Sequence, residues 1–112
     1  MFTDLQTTVA DTLMQTLKSD SRFDWVERIT DYLEPKLMLR SRLFVKFRDV
    51  AKDQYWAIYI RKNICEVYPT SQLGWTLGRS KSVSIKMTRG KVEKPIARII
   101  EDILKVIEGQ AS

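Results

Sequence analysis

The N-terminal third of the chain carries apolar residues at helical spacing, in two stripes. The first stripe consists of Phe2, Leu5, Val9, Leu13 and Leu17. Its spacing of three to four residues predicts an amphipathic helix, and the Thr3–Gln6 capping box marks the start of that helix. The second stripe consists of Trp25, Ile29, Tyr32 and Leu33. It predicts a second helix over 21–34, which ends at Pro35.

From residue 37 the apolar spacing changes to two, which is the period of a strand. Leu43, Val45 and Phe47 would form the apolar face of a strand over 37–48. The opposite face would be cationic around a single ring. Its members are Arg40, Arg42, Phe44, Lys46 and Arg48.

Residues 54–69 are rich in aromatic and branched side chains and therefore also favour strands. One face would hold Trp56, Ile58 and Ile60, and the other would hold Tyr55, Tyr59 and Arg61. Residues 61–63 either form a hairpin turn or lie within one longer strand. Residues 69–82 contain Gly74 and Gly78 and indicate a loop. A last strand over 82–88 would direct Val83, Ile85 and Met87 inward and Lys86 outward.

The C-terminal segment has the clearest helical pattern in the chain. Its apolar face consists of Ile96, Ile99, Ile100, Ile103, Leu104 and Ile107. Pro95 suits the first turn of this helix, and Gly109 suits its C-terminal cap.

These elements predict an α+β fold in a single domain over 1–112. The expected order is two N-terminal helices, an antiparallel sheet of three or four strands, and a C-terminal helix. Each helix has one apolar stripe and must bury it, so the helices are expected on the apolar face of the sheet. The other face would then be open to solvent and would present the basic side chains of the strands together.

The distribution of charge adds to this picture. The net charge is +5, but residues 35–92 hold thirteen basic and three acidic side chains, whereas residues 1–34 hold three basic and seven acidic ones. A surface polarised in this way attracts anionic partners to its basic part.

The basic, aromatic-bearing face predicts a non-enzymatic binding protein, with three alternatives for the partner. RNA or DNA fits because cations contact phosphates and exposed rings such as Phe44 and Tyr59 stack on bases. The cations proposed for phosphate contact are Arg40, Arg42, Lys46, Arg48, Arg61 and Lys86. The second alternative is an acidic or nucleic-acid-binding protein surface, docked by an inhibitor or adaptor on the same face or on the Trp75 loop with Arg79 and Lys81. A homo-oligomer that uses the sheet aromatics is the third alternative.

Two nucleic-acid-binding families offer resemblances. The segment RSRLFVKF resembles the RNP1 octamer of RNA-recognition motifs at Arg40, Phe44, Val45 and Phe47, and this resemblance implies that the Phe44 ring stacks on a base. Ser41 replaces the family's glycine, and Arg42 replaces its second stacking ring. The order helix–strands–helix is similar to that of a double-stranded RNA-binding domain, with residues 90–97 at the start of its last helix.

A third resemblance concerns residues 82–104. A serine-rich strand, a turn and a helix of this pattern resemble the tail of small accessory proteins of phages and prophages, some of which inhibit host defence nucleases, as anti-CRISPR proteins do. This resemblance implies an inhibitory protein partner and brings no catalytic motif.

Several residue types needed for chemistry are missing or isolated. The chain has no histidine, the commonest general base and metal ligand near neutral pH. Its one cysteine, Cys65, cannot build a zinc site and is expected as a buried thiol of a strand. The acid-x-lysine triplet Glu34-Pro35-Lys36 mimics a nuclease motif, but its proline is placed at a helix end. We therefore expect no enzyme activity, cofactor or metal.

Two further expectations concern location and the tryptophans. The chain lacks an apolar run of ~18 residues and a secretory signal at its start, and one cysteine suits a reducing compartment, so a cytoplasmic protein is expected. Trp25 and Trp56 lie on apolar stripes and are expected in the core. Trp75 is either a contact residue or a side chain folded back over the sheet edge.

Overall fold

The computed structural model describes residues 2–32, 41–85, 87–88, 91–92 and 94–110. In chain order the elements are α1 (Asp4–Lys18), β1 (Phe23–Tyr32), β2 (Ser41–Asp49), β3 (Gln54–Ile60), β4 (Ile64–Thr70), β5 (Lys81–Ser84), β6 (Met87–Thr88), β7 (Lys91–Val92) and α2 (Ile96–Gln110). The fold is α+β, as predicted.

The main sheet has five antiparallel strands in the order β1-β2-β3-β4-β5. Each strand pairs with its neighbours in sequence, and β6 and β7 form a separate two-stranded sheet. The sheet is therefore larger than the three or four strands expected. Residues 61–63 form the turn between β3 and β4, where the Arg61 amide donates to the Ile64 carbonyl at 2.9 Å. The last strand, expected over 82–88, divides into β5 and β6.

The predicted second helix is wrong, because residues 23–32 form the edge strand β1. Trp25 and Ile29 of the stripe that predicted the helix lie four positions apart on the same face of β1, a spacing that fits the two-residue period of a strand as well as a helix. β1 also contains a bulge in its pairing with β2. Asp24 pairs with Arg48 and Glu27 pairs with Lys46, so β1 has one more residue than β2 between these pairs. The extra residue shifts the alternation of faces, and the inward positions Phe23 and Val26 end up three residues apart, which is helical spacing.

Both helices pack on one face of the sheet, as predicted. Core residues from α1 and α2, such as Leu13 and Ile103, join those of the sheet, such as Val45 and Ile58, in one hydrophobic cluster, and all four are fully buried. The predicted capping box is present, since the Gln6 amide donates to Thr3 Oγ1 at 3.1 Å and the Thr3 amide donates to Gln6 Oε1 at 2.9 Å.

One buried polar contact ties α1 to the sheet. The Gln6 side-chain amide donates to the carbonyl of Ile60 at 3.1 Å, across 54 positions of sequence. On the same face, Arg28 of β1 forms an ion pair with Asp11 of α1 at 2.8 Å. The face of the sheet opposite the helices is called the outer face below. Neither of the helices described is long and apolar enough to cross a membrane.

Candidate functional site

The outer face carries the basic side chains that the pattern of β2 predicted. Leu43, Val45 and Phe47 are buried on the helix side. Arg42, Phe44, Lys46 and Arg48 alternate with them and point away from the helices. Tyr59 and Arg61 continue the same face on and after β3, because Phe44 pairs with Tyr59. Two predicted site residues, Arg40 and Lys86, lie outside the described residues.

The Phe44 ring is covered, in contrast to the exposed stacking ring that was expected. Only 5% of Phe44 is exposed. Its ring stacks on Tyr59 with centroids 4.9 Å apart and planes 29° apart. The guanidinium of Arg42 lies 5.3 Å from the ring centroid and the ammonium of Lys46 lies 5.6 Å from it. Since these neighbours already contact the ring, Phe44 supports the cations and offers little surface to a base.

Acidic side chains share the outer face with the cations. Arg48 pairs with Asp24 of β1, at 2.8 Å between Nε and Oδ1, and with Asp53 at 3.3 Å. Arg61 pairs with Glu66 of β4 at 3.0 Å. β1 forms this edge of the sheet where a helix was expected, and it places its acids beside the basic strand β2. The outer face is therefore a mixed-charge surface and not a uniformly cationic one.

The Asp24–Arg48 pair remains charged over a wide pH range. Hydrogen bonds from Arg48 hold the pKa of Asp24 below its ordinary value. The same hydrogen bonds raise the pKa of Arg48 further above neutrality. Both groups are ionised near pH 7, so Arg48 is held by the protein's own carboxylate.

The loop between β4 and β5 has an ordered backbone. The Ser71 amide donates to the Trp75 carbonyl at 2.8 Å, and the Gly74 amide donates to the Ser71 carbonyl at 2.9 Å. The Trp75 amide also donates to Ser71 Oγ at 3.1 Å. Gly74 has a φ of +95°, a left-handed conformation that a side chain would disfavour. These contacts define the turn at residues 71–75.

Three large apolar side chains project from this loop into solvent. Leu73 is 87% exposed, Trp75 is 73% exposed and Leu77 is 60% exposed. We call these three residues the loop patch. Arg79 and Lys81 follow it at the same alternate spacing and are exposed. Neither cation forms an ion pair with a described residue, so this end of the loop is both apolar and positively charged.

Trp25 lies on the outer face, and the prediction that it belongs to the core is wrong. It is 59% exposed and occupies the bulge of β1 with a φ of +55°, a rare conformation for a bulky residue. Its ring makes an edge contact with Tyr55 at 5.7 Å between centroids, and the guanidinium of Arg48 lies 5.7 Å from it. The prediction for Trp56 is confirmed, since that residue is 2% exposed.

The loop closes over part of the outer face and leaves two depressions. One, of about 170 Å³, is lined by Trp25, Tyr55, Lys46, Leu73 and Gly74 among others. We call it the Trp25 groove. The other, of about 350 Å³, is more open and is bounded by Arg42, Tyr59, Tyr68, Thr76 and Gly78 among others. The outer face is therefore indented and only partly open, whereas a face fully open to solvent was expected.

Cys65 and the acid-x-lysine triplet are the residues that the sequence offered for chemistry. Cys65 is buried, and desolvation raises the pKa of its thiol to about 12, so the reactive thiolate is suppressed. Within the described ranges, no three side chains among cysteines and carboxylates gather in a way that could hold a metal ion. Glu34, Pro35 and Lys36 of the nuclease-like triplet lie outside those ranges.

Comparison with protein-family models, with curated proteins and with solved structures finds no match. The resemblances to RNA-binding domains and to phage accessory proteins stay predictions. In the observed sheet each strand lies beside its neighbour in sequence, and no helix lies within the described residues 41–84, which differs from the βαββαβ order of an RNA-recognition motif.

Sequence reasoning selected Trp75, Arg79 and Lys81 but missed Leu73, Leu77 and Trp25. Leu73 and Leu77 could have been found from the sequence, because apolar residues alternate over 73–77 inside a glycine-containing loop where no core strand is predicted. Trp25 could not, since its outward position depends on the bulge that pairing with β2 creates.

Proposed function

We propose that the protein is a non-enzymatic binding module that holds a partner protein through the loop patch. In this role it acts as an inhibitor or adaptor, and the reducing cytoplasm suits its single thiol. The proposal takes up one of the partners that the basic sequence pattern predicts, and it moves the centre of contact from the sheet face to the β4–β5 loop.

The exposure of Leu73, Trp75 and Leu77 is the observation that supports this proposal best. Single exposed apolar residues are common, but three large ones within five positions of one loop concentrate exposed apolar area there, and exposed apolar patches mark interaction sites. Tryptophan is also among the residue types that contribute most to interface energy. Because the turn is hydrogen-bonded internally, little conformational entropy is lost when it is held by a partner.

The charge around the loop patch favours an acidic partner surface. Arg79 and Lys81 follow Leu77 in the sequence, are exposed and form no ion pair with a described residue. Cations at the rim of an apolar contact speed the encounter with an acidic surface and reject basic ones. The partner expected is therefore a protein with an apolar depression and acidic residues around it.

Affinity capture with matched variants tests this proposal. Tagged wild-type protein, the Leu73→Ala/Trp75→Ala/Leu77→Ala variant and a Val50→Ala variant are incubated with nuclease-treated lysate of the encoding organism. Val50 is also an exposed apolar residue, but it lies in the turn between β2 and β3. The proposal expects a discrete protein that the wild type and Val50→Ala retain and the triple variant loses. Equal recovery by the triple variant, or no protein recovered by the wild type, contradicts it.

Nucleic acid is a second candidate partner, and the chemistry of residues 75–81 favours it. An exposed indole followed by two exposed cations matches the combination of base stacking and phosphate contact that single strands require. This version uses Trp75, Arg79 and Lys81 in place of Phe44 and of the paired Arg48 and Arg61. Fluorescence titration with single-stranded RNA and DNA at low salt tests it. Binding that weakens steeply with salt and is lost on Trp75→Ala is expected; an unchanged signal at low salt excludes it.

Self-association through the same apolar patch would give a third outcome. Light scattering of the free protein at high concentration measures it directly. The partner-binding proposal expects a monomer, and a dimer that the triple variant abolishes would assign the loop patch to self-association.

A further inference from the structure

The Lys46 ammonium is an unusual group on the outer face. Lys46 is half-buried, and its ammonium lies 5.6 Å from the centroid of the Phe44 ring. On its other side is the turn at residues 71–75, because a Cβ built on Gly74 would lie 3.6 Å from Nζ. Lys46 forms neither an ion pair nor a hydrogen bond with any described residue. Its three donors are thus left for water or a ligand, in a position that is partly shielded from solvent.

The acids of the outer face do not satisfy this ammonium. Asp24 and Asp53 are paired with Arg48, and Glu66 is paired with Arg61. Glu27 is the register partner of Lys46 in β1, but it is exposed and forms no ion pair with it. Lys46 therefore differs from Arg48 and Arg61, whose positive charges are already matched.

The Trp25 groove beside Lys46 is lined in part by the aromatic and apolar side chains of Trp25, Tyr55 and Leu73. Glu27, Ser71, Gln72 and the backbone of Gly74 line it as well. Two of the lining residues, Trp25 and Leu73, are among the most exposed apolar side chains on the described surface. A ligand that enters the groove would bury both of them while it brings a charge to Lys46.

The Trp25 wall is held in place before any ligand arrives. The bulge of β1 sets the direction of the side chain, and the left-handed φ of Trp25 is a backbone conformation that persists only where the surrounding structure holds it. Arg48 and Tyr55 contact the ring, and Asp24 in turn holds Arg48. A wall fixed in this way lowers the entropic cost of binding.

We infer that the Trp25 groove takes an acidic side chain and an apolar side chain from one extended segment of the partner protein. The carboxylate would pair with Lys46 Nζ, and the apolar side chain would lie between Trp25 and Leu73. Side chains two positions apart point to the same side of an extended chain, so the recognised pattern is apolar–any–acidic. This inference rests on the proposed function and adds the chemistry of the partner to it.

Peptide titration followed by NMR tests the inference. The probe is a capped pentapeptide of serines in which the second residue is phenylalanine and the fourth is glutamate, and the matched probe carries glutamine in place of glutamate. We expect the first peptide to cause saturable shifts of the Trp25 indole N–H and the Gly74 amide in the ¹⁵N-labelled protein. We expect the glutamine peptide to bind at least about tenfold more weakly, because a charge-assisted hydrogen bond is lost.

Two variants make the result specific to Lys46. Lys46→Met should weaken binding of the glutamate peptide by about tenfold or more. Lys62→Met removes the same charge from the turn between β3 and β4, at the opposite end of β4 from the groove, and should leave the affinity unchanged. Absence of saturable shifts at Trp25 and Gly74, or equal affinity of Lys46→Met and wild type, overturns the inference.

The outcomes also separate this inference from the proposed function. If the groove fails to bind the peptide but protein capture still depends on the loop patch, the inference alone is wrong. If capture is unaffected by the triple alanine variant but the glutamate peptide binds wild type and loses affinity on Lys46→Met, the loop patch is not the contact for the captured protein, and the groove at Lys46 remains a peptide-binding site.

Discussion

Arg48 donates two parallel hydrogen bonds to the carboxylate of Asp24. Nε donates to Oδ1 at 2.8 Å and Nη2 donates to Oδ2 at 2.5 Å. The two residues belong to neighbouring strands, and Trp25 follows Asp24 directly in the bulge of β1. Since the same guanidinium also contacts the Trp25 ring, this pair joins the bulge, the basic strand and the exposed indole into one unit.

Replacement of Asp24 should make the Trp25 side chain of the groove more mobile, with little effect on the fold. In Asp24→Asn, Arg48 loses its charged partner and the contact that steadies the indole weakens. We expect acrylamide quenching of Trp25 to increase in a Trp75→Phe background, while Tm falls by only a few degrees, because surface ion pairs contribute little.

Asp11→Asn is the matched control for that experiment. It removes the carboxylate that pairs with Arg28 on the helix side. Its quenching should equal that of the background protein. If Asp24→Asn also leaves quenching unchanged, the pair does not position Trp25.

Acid should destabilise the protein through a small set of paired carboxylates. Hydrogen bonds from Arg22, Arg48 and Lys94 lower the pKa values of Asp20, Asp24 and Asp102, respectively. A lowered pKa in the folded state means that the unfolded state binds protons more readily. The stability from these pairs is therefore fully present above the unfolded value near 3.8 and is lost as the pH falls through the lower, folded values.

Tm measured as a function of pH checks this expectation. For the wild type we expect a plateau from pH 7 to about pH 5 and a decline below about pH 4. The Asp24→Asn/Asp102→Asn variant should have a lower plateau and a shallower decline. If Tm declines equally steeply with falling pH in both proteins, groups other than Asp24 and Asp102 cause the loss of stability in acid.

Replacing the exposed Leu73 of the loop should destabilise the protein far less than replacing a buried leucine of the core. Leu13 of α1 is fully buried, whereas Leu73 is 87% exposed. Leu13→Ala should reduce the free energy of unfolding by about 2–5 kcal/mol, while Leu73→Ala should change it by less than about 0.5 kcal/mol. Urea denaturation measures both. A large loss in Leu73→Ala would mean that the loop patch is part of the folded core and not a contact surface.

Cys65 should be chemically silent in the folded protein. Its thiol is buried and its pKa is raised to about 12, so the thiolate is scarce at pH 8. Alkylation by iodoacetamide at pH 8 should be slow in buffer and rapid in denaturing urea. Rapid labelling of the folded protein would place Cys65 at the surface and contradict its position in β4.

The sequence predicts the class of fold and most of the inner face. Period-two spacing correctly assigned Leu43, Val45 and Phe47 to the core side of β2, and helical spacing correctly assigned α1 and α2. These elements are predictable because each buries one continuous apolar stripe, and such a stripe is a local property of the chain.

The edge strand and the balance of charge could not be predicted in this way. Trp25 and Ile29 of β1 are four positions apart, a spacing that suits a helix and a strand alike, and only pairing with β2 decides in favour of the strand. That one change carries Asp24 and Glu27 to the outer face beside Arg48 and Lys46. The outer face is therefore not uniformly cationic, although the sequence around β2 has a surplus of positive charge, because acidic residues of another strand lie beside the basic residues of β2.

Photo-crosslinking from the loop tests the central claim most directly. A benzophenone amino acid replaces exposed Gln72, which adjoins the loop patch and leaves its three side chains intact, and in the control it replaces exposed Lys105 of α2. We predict an adduct with one protein from position 72 that survives nuclease, is absent from position 105, and is lost with Leu73→Ala/Trp75→Ala/Leu77→Ala. No adduct from position 72, or one that nuclease removes, would contradict the assignment of this loop to a protein partner.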